Sequence, residues 1–324
     1  MIIYKTNGEA KFEIDNVESE ETEEKVKVKI THVMPNMADV NIFSGDSSVK
    51  YPFIIGHSAI GVVSDDRPEY GLKRGTKIIL NPYKINSDGT VSTMGVDESG
   101  FMRELIFIDK DNIIPFPEDV DEEQAIFAEK VSIALKALNS NKFEKGDYVV
   151  IVGSDSLCNI IGQLALYFQL VPIMIGNNED ELTRAERCGI YYTVNATKES
   201  PIEKIREITC DRMAETVIFE ITPEASSAFA FPMSKSGGNC VLLSENNVVK
   251  NFDADIAIVC KKNLNLRGIS VGDTEFESAI NILAQNILKF DGFIEKRVEK
   301  KDAEILLREL RDEPGRYFNA VIGF

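Results

Sequence analysis

The sequence is poor in cysteine and histidine, the residue types that bind most structural and catalytic zinc ions. It contains five cysteines and two histidines, His32 and His57. All the cysteines lie beyond residue 150, so the first part of the chain cannot form a cysteine-bound metal site. Their number is odd and no pair has the C-x-x-C spacing, which favours reduced thiols in a cytoplasm over a disulfide framework or a zinc ribbon.

The chain also lacks a long apolar run, a signal-peptide pattern and an excess of positive charge. No stretch of about 18 apolar residues predicts a transmembrane helix, and MIIYKTNGEAKFEID has no basic patch followed by an apolar core. With 36 basic and 53 acidic residues the net charge is −17. Such a surface repels phosphate backbones and anionic lipids, so we expect a cytoplasmic protein with no nucleic-acid or membrane partner.

Two different patterns of apolar and polar residues follow each other along the 324 residues, a length that allows two domains. The first part has the alternating segment KVKVKI (residues 25–30) and short apolar segments between Gly, Pro and Asp turns, which predict a barrel-like β domain. From about residue 119, helical patterns alternate with apolar strands such as DYVVIVG (147–153) and VPIMIG (171–176), which predicts a doubly wound parallel sheet. The last strand, in FNAVIGF (318–324), needs a partner sheet, and we expect the N-terminal domain to supply it.

The order of these motifs resembles the medium-chain dehydrogenase/reductase superfamily, in particular its zinc alcohol and polyol dehydrogenases. The matching segments extend over essentially the whole chain and include ADVNIFSG (38–45), PFIIGHSAIGVV (52–63), GFMREL (100–105), AEKVSIALKAL (128–138), DYVVIVG and the C-terminal AVIGF. The resemblance implies an α/β fold with a GroES-like β-barrel catalytic domain, residues 1–119 and 290–324. It implies a doubly wound Rossmann cofactor-binding domain at residues 120–289.

The resemblance also implies a catalytic site around His57, where zinc enzymes of the family bind their metal with this histidine, a cysteine and often a glutamate. Here the matching positions hold His57, Asn36 and Glu129, with Asp39 where the family orients the histidine. An amide is a weak zinc ligand, so we predict a catalytic site of Asn36, His57, Glu129 and Asp39 without catalytic zinc. If zinc were retained, His57 and Glu129 would be its ligands.

Other features of the zinc enzymes are missing as well. Ala38 stands where those enzymes carry the hydroxyl of a proton relay, and alanine cannot form such a hydrogen bond. The segment between Tyr83 and Gly100, which carries the structural-zinc cysteines in the family, has no cysteine, so we predict no structural zinc.

The dinucleotide fingerprint G-x-G-x-x-G is incomplete. The segment after DYVVIV reads GSDSLC, and only the first glycine, Gly153, is present. Asp155 would repel a pyrophosphate by about 4 kcal/mol at about 4 Å and an effective dielectric of about 20, unless its side chain caps the following helix. Gly176 replaces the acidic residue that binds the adenosine ribose, so NAD(H) and NADP(H) both stay open. We predict that the cofactor contacts Gly153, Ser154, Ser156, Leu157, Gly176, Asn177 and Thr222.

These features together predict an NAD(P)-dependent oxidoreductase acting on a small alcohol, polyol or carbonyl compound in the cleft between the domains. Asn36 and His57 are the expected donors to a developing oxyanion. Two alternatives stay open: a catalytically silent homologue with a binding or assembly role, and a zinc-independent quinone oxidoreductase-like reductase of activated double bonds, whose N-x-x-D pattern NMAD (36–39) matches. By the resemblance, the strand in NLNLRGISV (263–271) pairs between subunits, so we expect a homodimer through the Rossmann edge strands.

Overall fold

A computed structural model describes residues 2–16, 24–117, 120–221, 227–244 and 254–324. The chain forms two compact units, of which the first comprises Met1–Glu129, Ala279–Asn286 and Phe290–Phe324, and the second Lys130–Ser278 and Ile287–Lys289. Residues 120–129 and 279–286, which the sequence places in the Rossmann domain, thus group with the first unit. Residues 120–129 are held there by an ion pair between Glu122 and Lys77, at 2.9 Å, and by stacking of Phe127 on Phe290.

Strands predominate in the first part of the chain, and strands alternate with helices in the second part. Up to residue 139 the elements are β1 (Ile2–Thr6), β2 (Phe12–Asn16), β3 (Val26–Met34), α1 (Met37–Ser44), β4 (Ser58–Val63), β5 (Lys77–Leu80), β6 (Tyr83–Ile85), β7 (Val91–Thr93), β8 (Leu105–Ile108), β9 (Ile113–Pro115), α2 (Glu122–Ala125) and α3 (Ala128–Asn139). After it they are β10 (Tyr148–Val152), α4 (Ser156–Tyr167), β11 (Val171–Gly176), α5 (Glu179–Cys188), β12 (Tyr192–Asn195), α6 (Pro201–Ile208), β13 (Ala214–Glu220), α7 (Ser227–Met233), β14 (Ser234–Leu243), α8 (Ile256–Lys262), β15 (Asn265–Ile269), α9 (Phe276–Ala284), β16 (Lys296–Glu299), α10 (Ala303–Asp312) and β17 (Ala320–Gly323).

The first unit is built around a sheet with the strand order β16-β17-β3-β4-β5-β9, and β8 pairs with β3. The alternation predicted for residues 25–30 is confirmed: Val26, Val28 and Ile30 are fully buried in the core of this unit. The prediction for the last strand is also confirmed, because β17 pairs antiparallel with β3. The chain therefore returns at its end to the sheet of the first unit that contains β3, β4 and β5.

The second unit is a parallel sheet with the order β12-β11-β10-β13-β14-β15, as a doubly wound fold requires. Helix α4 buries its apolar stripe, with Leu157, Ile160, Ile161 and Leu164 inaccessible to solvent. Within the part of the chain that the structure describes, no helix is long and apolar enough to span a bilayer.

Helix α7 ends at Met233, and β14 starts at Ser234. Gly237, with φ at +74°, and Gly238 disfavour a helix there. Two separate helices, α2 and α3, precede the parallel sheet of the second unit.

Candidate active site

His57 lies directly before β4 and is fully buried, with 0% of its surface exposed. Closely packed glycines position the backbone at this point: Gly56 has φ at +93°, and a Cβ on Gly100 would lie 2.3 Å from the Gly56 carbonyl oxygen. The Gly56 N–H donates to Asp39 Oδ1 at 2.7 Å. The backbone next to His57 therefore has little room to move, and this positions the imidazole.

Asn36 is the N-cap of helix α1, and the cap determines which way its side-chain amide points. Its Oδ1 accepts hydrogen bonds from the N–H groups of Ala38, at 2.9 Å, and Asp39, at 3.3 Å. Asp39 Oδ2 in turn accepts from the Asn36 N–H at 3.0 Å, which completes a capping box. Because the helix uses the amide oxygen, the amide nitrogen faces His57 and lies 2.9 Å from its Nε2.

This contact assigns the tautomer of His57. An amide NH₂ group can only donate, so Nε2 must accept and the ring proton belongs on Nδ1. Nδ1 lies 3.5 Å from Asp39 Oδ2, so Asp39 lies behind the histidine, on the side opposite Asn36. His57 is thus an acceptor at Nε2, which differs from the donor role expected for it from the sequence. Asn36 is the remaining one of the two expected donors.

Glu129 is a buried carboxylate, 3% exposed, that receives hydrogen bonds from hydroxyl groups. Tyr83 donates to its Oε1 at 2.9 Å and Ser58 donates to its Oε2. The same Oε2 lies 3.7 Å from His57 Nε2. These donors stabilise a carboxylate that would be costly to bury without them.

The structure therefore brings Asn36, Asp39, His57 and Glu129 together and adds Ser58 and Tyr83. Sequence reasoning did not assign a role to either hydroxyl. The position of Ser58 directly after the histidine was a signal for it. Tyr83 had no local signal, because it lies 46 residues before Glu129 and meets it through the fold alone.

The donor atoms of this cluster do not fit a catalytic zinc. Such a site needs three ligands drawn from thiolate, imidazole and carboxylate. Here Nε2 of His57 and the carboxylate of Glu129 are the suitable atoms, and Asn36 presents an NH₂ group, which is not a ligand. Among the described residues, no group of three or more His, Cys, Asp or Glu side chains is placed to hold a metal ion.

The turn between β10 and α4 needs a glycine at its first position. Gly153 has φ at +131°, and a Cβ there would lie 2.6 Å from Cys158 Sγ. Asp155 caps α4, since its Oδ1 accepts from the Cys158 N–H at 2.8 Å. Burial, and next the charge of Asp155, raise the pKa of the Cys158 thiol well above its ordinary value, so Cys158 packs as a neutral side chain.

A buried cation lies at the same turn. Lys130 is 8% exposed, and its Nζ donates to Ser156 Oγ at 2.6 Å in the first turn of α4. Its positive charge lies in the first turn of α4, at the end of the helix where a phosphate would be held. The turn thus offers a phosphate a helix N-terminus and a buried cation, although two of the three glycines are missing. Sequence reasoning missed Lys130 because the residue lies outside the fingerprint.

The other predicted cofactor residues differ in how they could meet a ligand. The side chain of Leu157 is fully buried, so only its backbone is available, whereas Asn177 is exposed. A Cβ on Gly176 would lie 2.4 Å from Ser154 Oγ, so the serine occupies that space. Thr222 lies outside the described residues.

Comparison with known proteins finds a matching domain and several relatives. Residues 22–118 match the alcohol dehydrogenase GroES-like domain. The chain is 27% identical over 301 residues to an uncharacterized zinc-type alcohol dehydrogenase-like protein of Haemophilus influenzae, covering 88% of this chain and 87% of that protein. It is 24% identical over 280 residues to L-threonine 3-dehydrogenase of Bacillus velezensis, covering 79% and 78%.

A solved structure shows the same fold over the whole chain. The alcohol dehydrogenase RspB of Escherichia coli CFT073, determined in complex with NADH, superposes with a TM-score of 0.86 at 17% identity, covering 100% of this chain and 99% of that one. The GroES-like match at residues 22–118, the related dehydrogenases and the shared fold support the resemblance of this chain to the medium-chain dehydrogenase/reductase superfamily.

Proposed function

We propose that the protein is a zinc-independent oxidoreductase that transfers hydride between a nicotinamide cofactor and a small alcohol, polyol or carbonyl compound. The relatives named above are dehydrogenases or dehydrogenase-like proteins, and RspB binds NADH. The observation that carries the proposal is the buried Glu129 carboxylate, hydrogen-bonded to Tyr83 and Ser58 and close to His57. It provides a means of moving a proton that needs no metal.

Oxidising an alcohol removes a hydride from carbon and a proton from oxygen. A bound nicotinamide is the acceptor of the hydride. We assign the proton to Glu129, reached through the hydroxyl of Ser58 or Tyr83. Since each hydroxyl already donates to Glu129, taking a proton from the substrate oxygen passes the hydroxyl's own proton to the carboxylate. Reduction of a carbonyl compound uses the same steps in reverse.

Negative charge that develops on the substrate oxygen needs a hydrogen-bond donor when no zinc is present. We propose Asn36 for this role, because it is the partly exposed member of the cluster and its cap on α1 keeps the NH₂ group turned towards the site. One such donor contributes about 3 kcal/mol to a transition state. A conjugated carbonyl compound spreads its charge over more atoms and needs less stabilisation at its oxygen, so a site with Asn36 as donor supports an activated double bond as the second candidate substrate class.

Titration with NADH and NADPH tests the proposal, because it needs no knowledge of the substrate. We expect saturable binding of at least one of them, followed by fluorescence or calorimetry. The variant Lys130→Met should weaken binding about tenfold, since it removes a charged donor near the phosphates. Lys136→Met removes the same charge from the same helix, where Lys136 pairs with Asp273, and should leave binding unchanged. No binding of either cofactor at about 1 mM would contradict the proposal and favour the catalytically silent alternative.

We further propose that the protein forms a homodimer through β15. This strand is at the end of the parallel sheet and is largely exposed, and Leu266 on it is 43% exposed. An uncovered strand edge with an apolar side chain favours pairing with a second copy. Light scattering should give twice the chain mass of 36.1 kDa, and Leu266→Asp should lower it. A wild-type mass of one chain would contradict the dimer.

A further inference from the structure

The end of β11 has no acidic side chain of its own, although a carboxylate at this point is what usually binds the adenosine ribose of NAD. Gly176 takes the position, and the side chain of Ser154 occupies the adjoining space: a Cβ on Gly176 would lie 2.4 Å from Ser154 Oγ and 2.7 Å from Ser154 Cβ. A side chain at residue 176 is thus excluded by the neighbouring strand end.

Helix α5 supplies a carboxylate to the position beside Gly176. Ser154 Oγ donates to Glu181 Oε2 at 2.5 Å. Glu181 is in the first turn of α5, and Asn178 caps that helix by accepting from the N–H of Asp180 at 2.9 Å and of Glu181 at 3.4 Å. The capped turn and the serine together hold the Glu181 carboxylate beside Gly176, and Glu181 stays partly accessible to a ligand.

Another acid of the same turn has different partners. Glu179 accepts from Lys198 Nζ at 2.7 Å and from Asn195 Nδ2 at 2.6 Å, and both partners lie beyond the end of the helix. Its charge is balanced by the lysine. Glu181 is therefore the acid of this turn that Ser154 holds at the strand end.

We propose that Glu181 determines cofactor choice and selects NAD(H) over NADP(H), an inference that rests on the proposed function. Its carboxylate accepts hydrogen bonds from the vicinal hydroxyls of the adenosine ribose, the task of the missing acid at residue 176. A 2′-phosphate carries about two negative charges and is repelled from a partly buried carboxylate. Ser154 acts as a positioning residue, because it reaches the ribose site through Glu181.

Binding titrations with NADH and NADPH on wild type and variants test this without any turnover. We expect wild type to bind NADH at least about tenfold more tightly than NADPH. Glu181→Gln removes the charge and keeps the size, and should bring the affinity ratio close to one, mainly by weakening NADH. Glu179→Gln, which removes a charge from the same turn, should keep the wild-type ratio. Ser154→Ala should lower the ratio part of the way.

The outcomes separate this inference from the proposed function. If neither cofactor binds wild type, the proposed function fails, and this inference fails with it. If wild type binds NADPH as well as NADH or better, the function holds and the inference is overturned; Arg184, one turn further along α5, would then be the residue to examine. An unchanged ratio in a folded Glu181→Gln protein also overturns it. If Glu181→Gln does not fold, the ratio of NADH to NADPH affinity in the wild type and in Ser154→Ala still tests the inference.

Discussion

Replacing Asn36 with cysteine should yield a protein that purifies with about one zinc per chain, where the wild type carries close to none. The substitution supplies a thiolate beside His57 Nε2 and near Glu129, and so completes three ligands of the types that a catalytic zinc uses. It also removes the amide NH₂ group that now donates to Nε2. The histidine nitrogen would then be available to the metal.

Metal analysis of protein grown with added zinc measures this effect. Asn36→Ser is the matched control, because serine can cap α1 but brings no thiolate, and it should stay metal-free. Cysteine is a poorer cap, so Asn36→Cys stripped of metal should lose about 1 kcal/mol of stability and regain it when zinc is added. One zinc per chain in the wild type would refute the zinc-independent site, and a metal-free Asn36→Cys protein would refute the proposed cause.

Replacing Glu129 with glutamine should lower kcat by about 10²- to 10³-fold, measured with an alcohol, polyol or carbonyl compound that the wild type turns over. Glutamine cannot take up the proton, and its NH₂ group would face one of the hydroxyl donors, Tyr83 or Ser58, that now point at the carboxylate. The loss of an acceptor for a buried hydroxyl should also lower the free energy of unfolding by about 1–3 kcal/mol.

Steady-state kinetics and thermal unfolding measure the two effects separately. Glu123→Gln is the matched control: Glu123 is exposed and pairs with Arg297 on the surface, so this change should alter neither quantity much. Cofactor affinity should stay near the wild-type value in Glu129→Gln, since the carboxylate is assigned to the proton alone. A kcat within about threefold of wild type would remove Glu129 from the proton path.

The comparison of Asn36 with Asp155 shows how far sequence reasoning reaches at this site. Both residues were recognised as departures from the family pattern, and both turn out to be helix N-caps. The sequence indicated which group was missing in each place. It could not show that the Asn36 amide nitrogen faces His57, because that orientation depends on a contact between residues 21 positions apart.

The order of apolar strands, helical stripes and glycines by itself determined the fold class, the parallel sheet of the second unit and the pairing of the last strand with the N-terminal domain. Those patterns are local, and each repeats over several residues, so the residues that become buried can be predicted from the sequence. The hydroxyls of Tyr83 and Ser58 on Glu129, the cation of Lys130 at Ser156 and the carboxylate of Glu181 at Ser154 were decided by the tertiary structure alone. Each is a single contact between residues 26 to 71 positions apart. Local sequence patterns do not determine which distant side chains meet when the strands and helices pack.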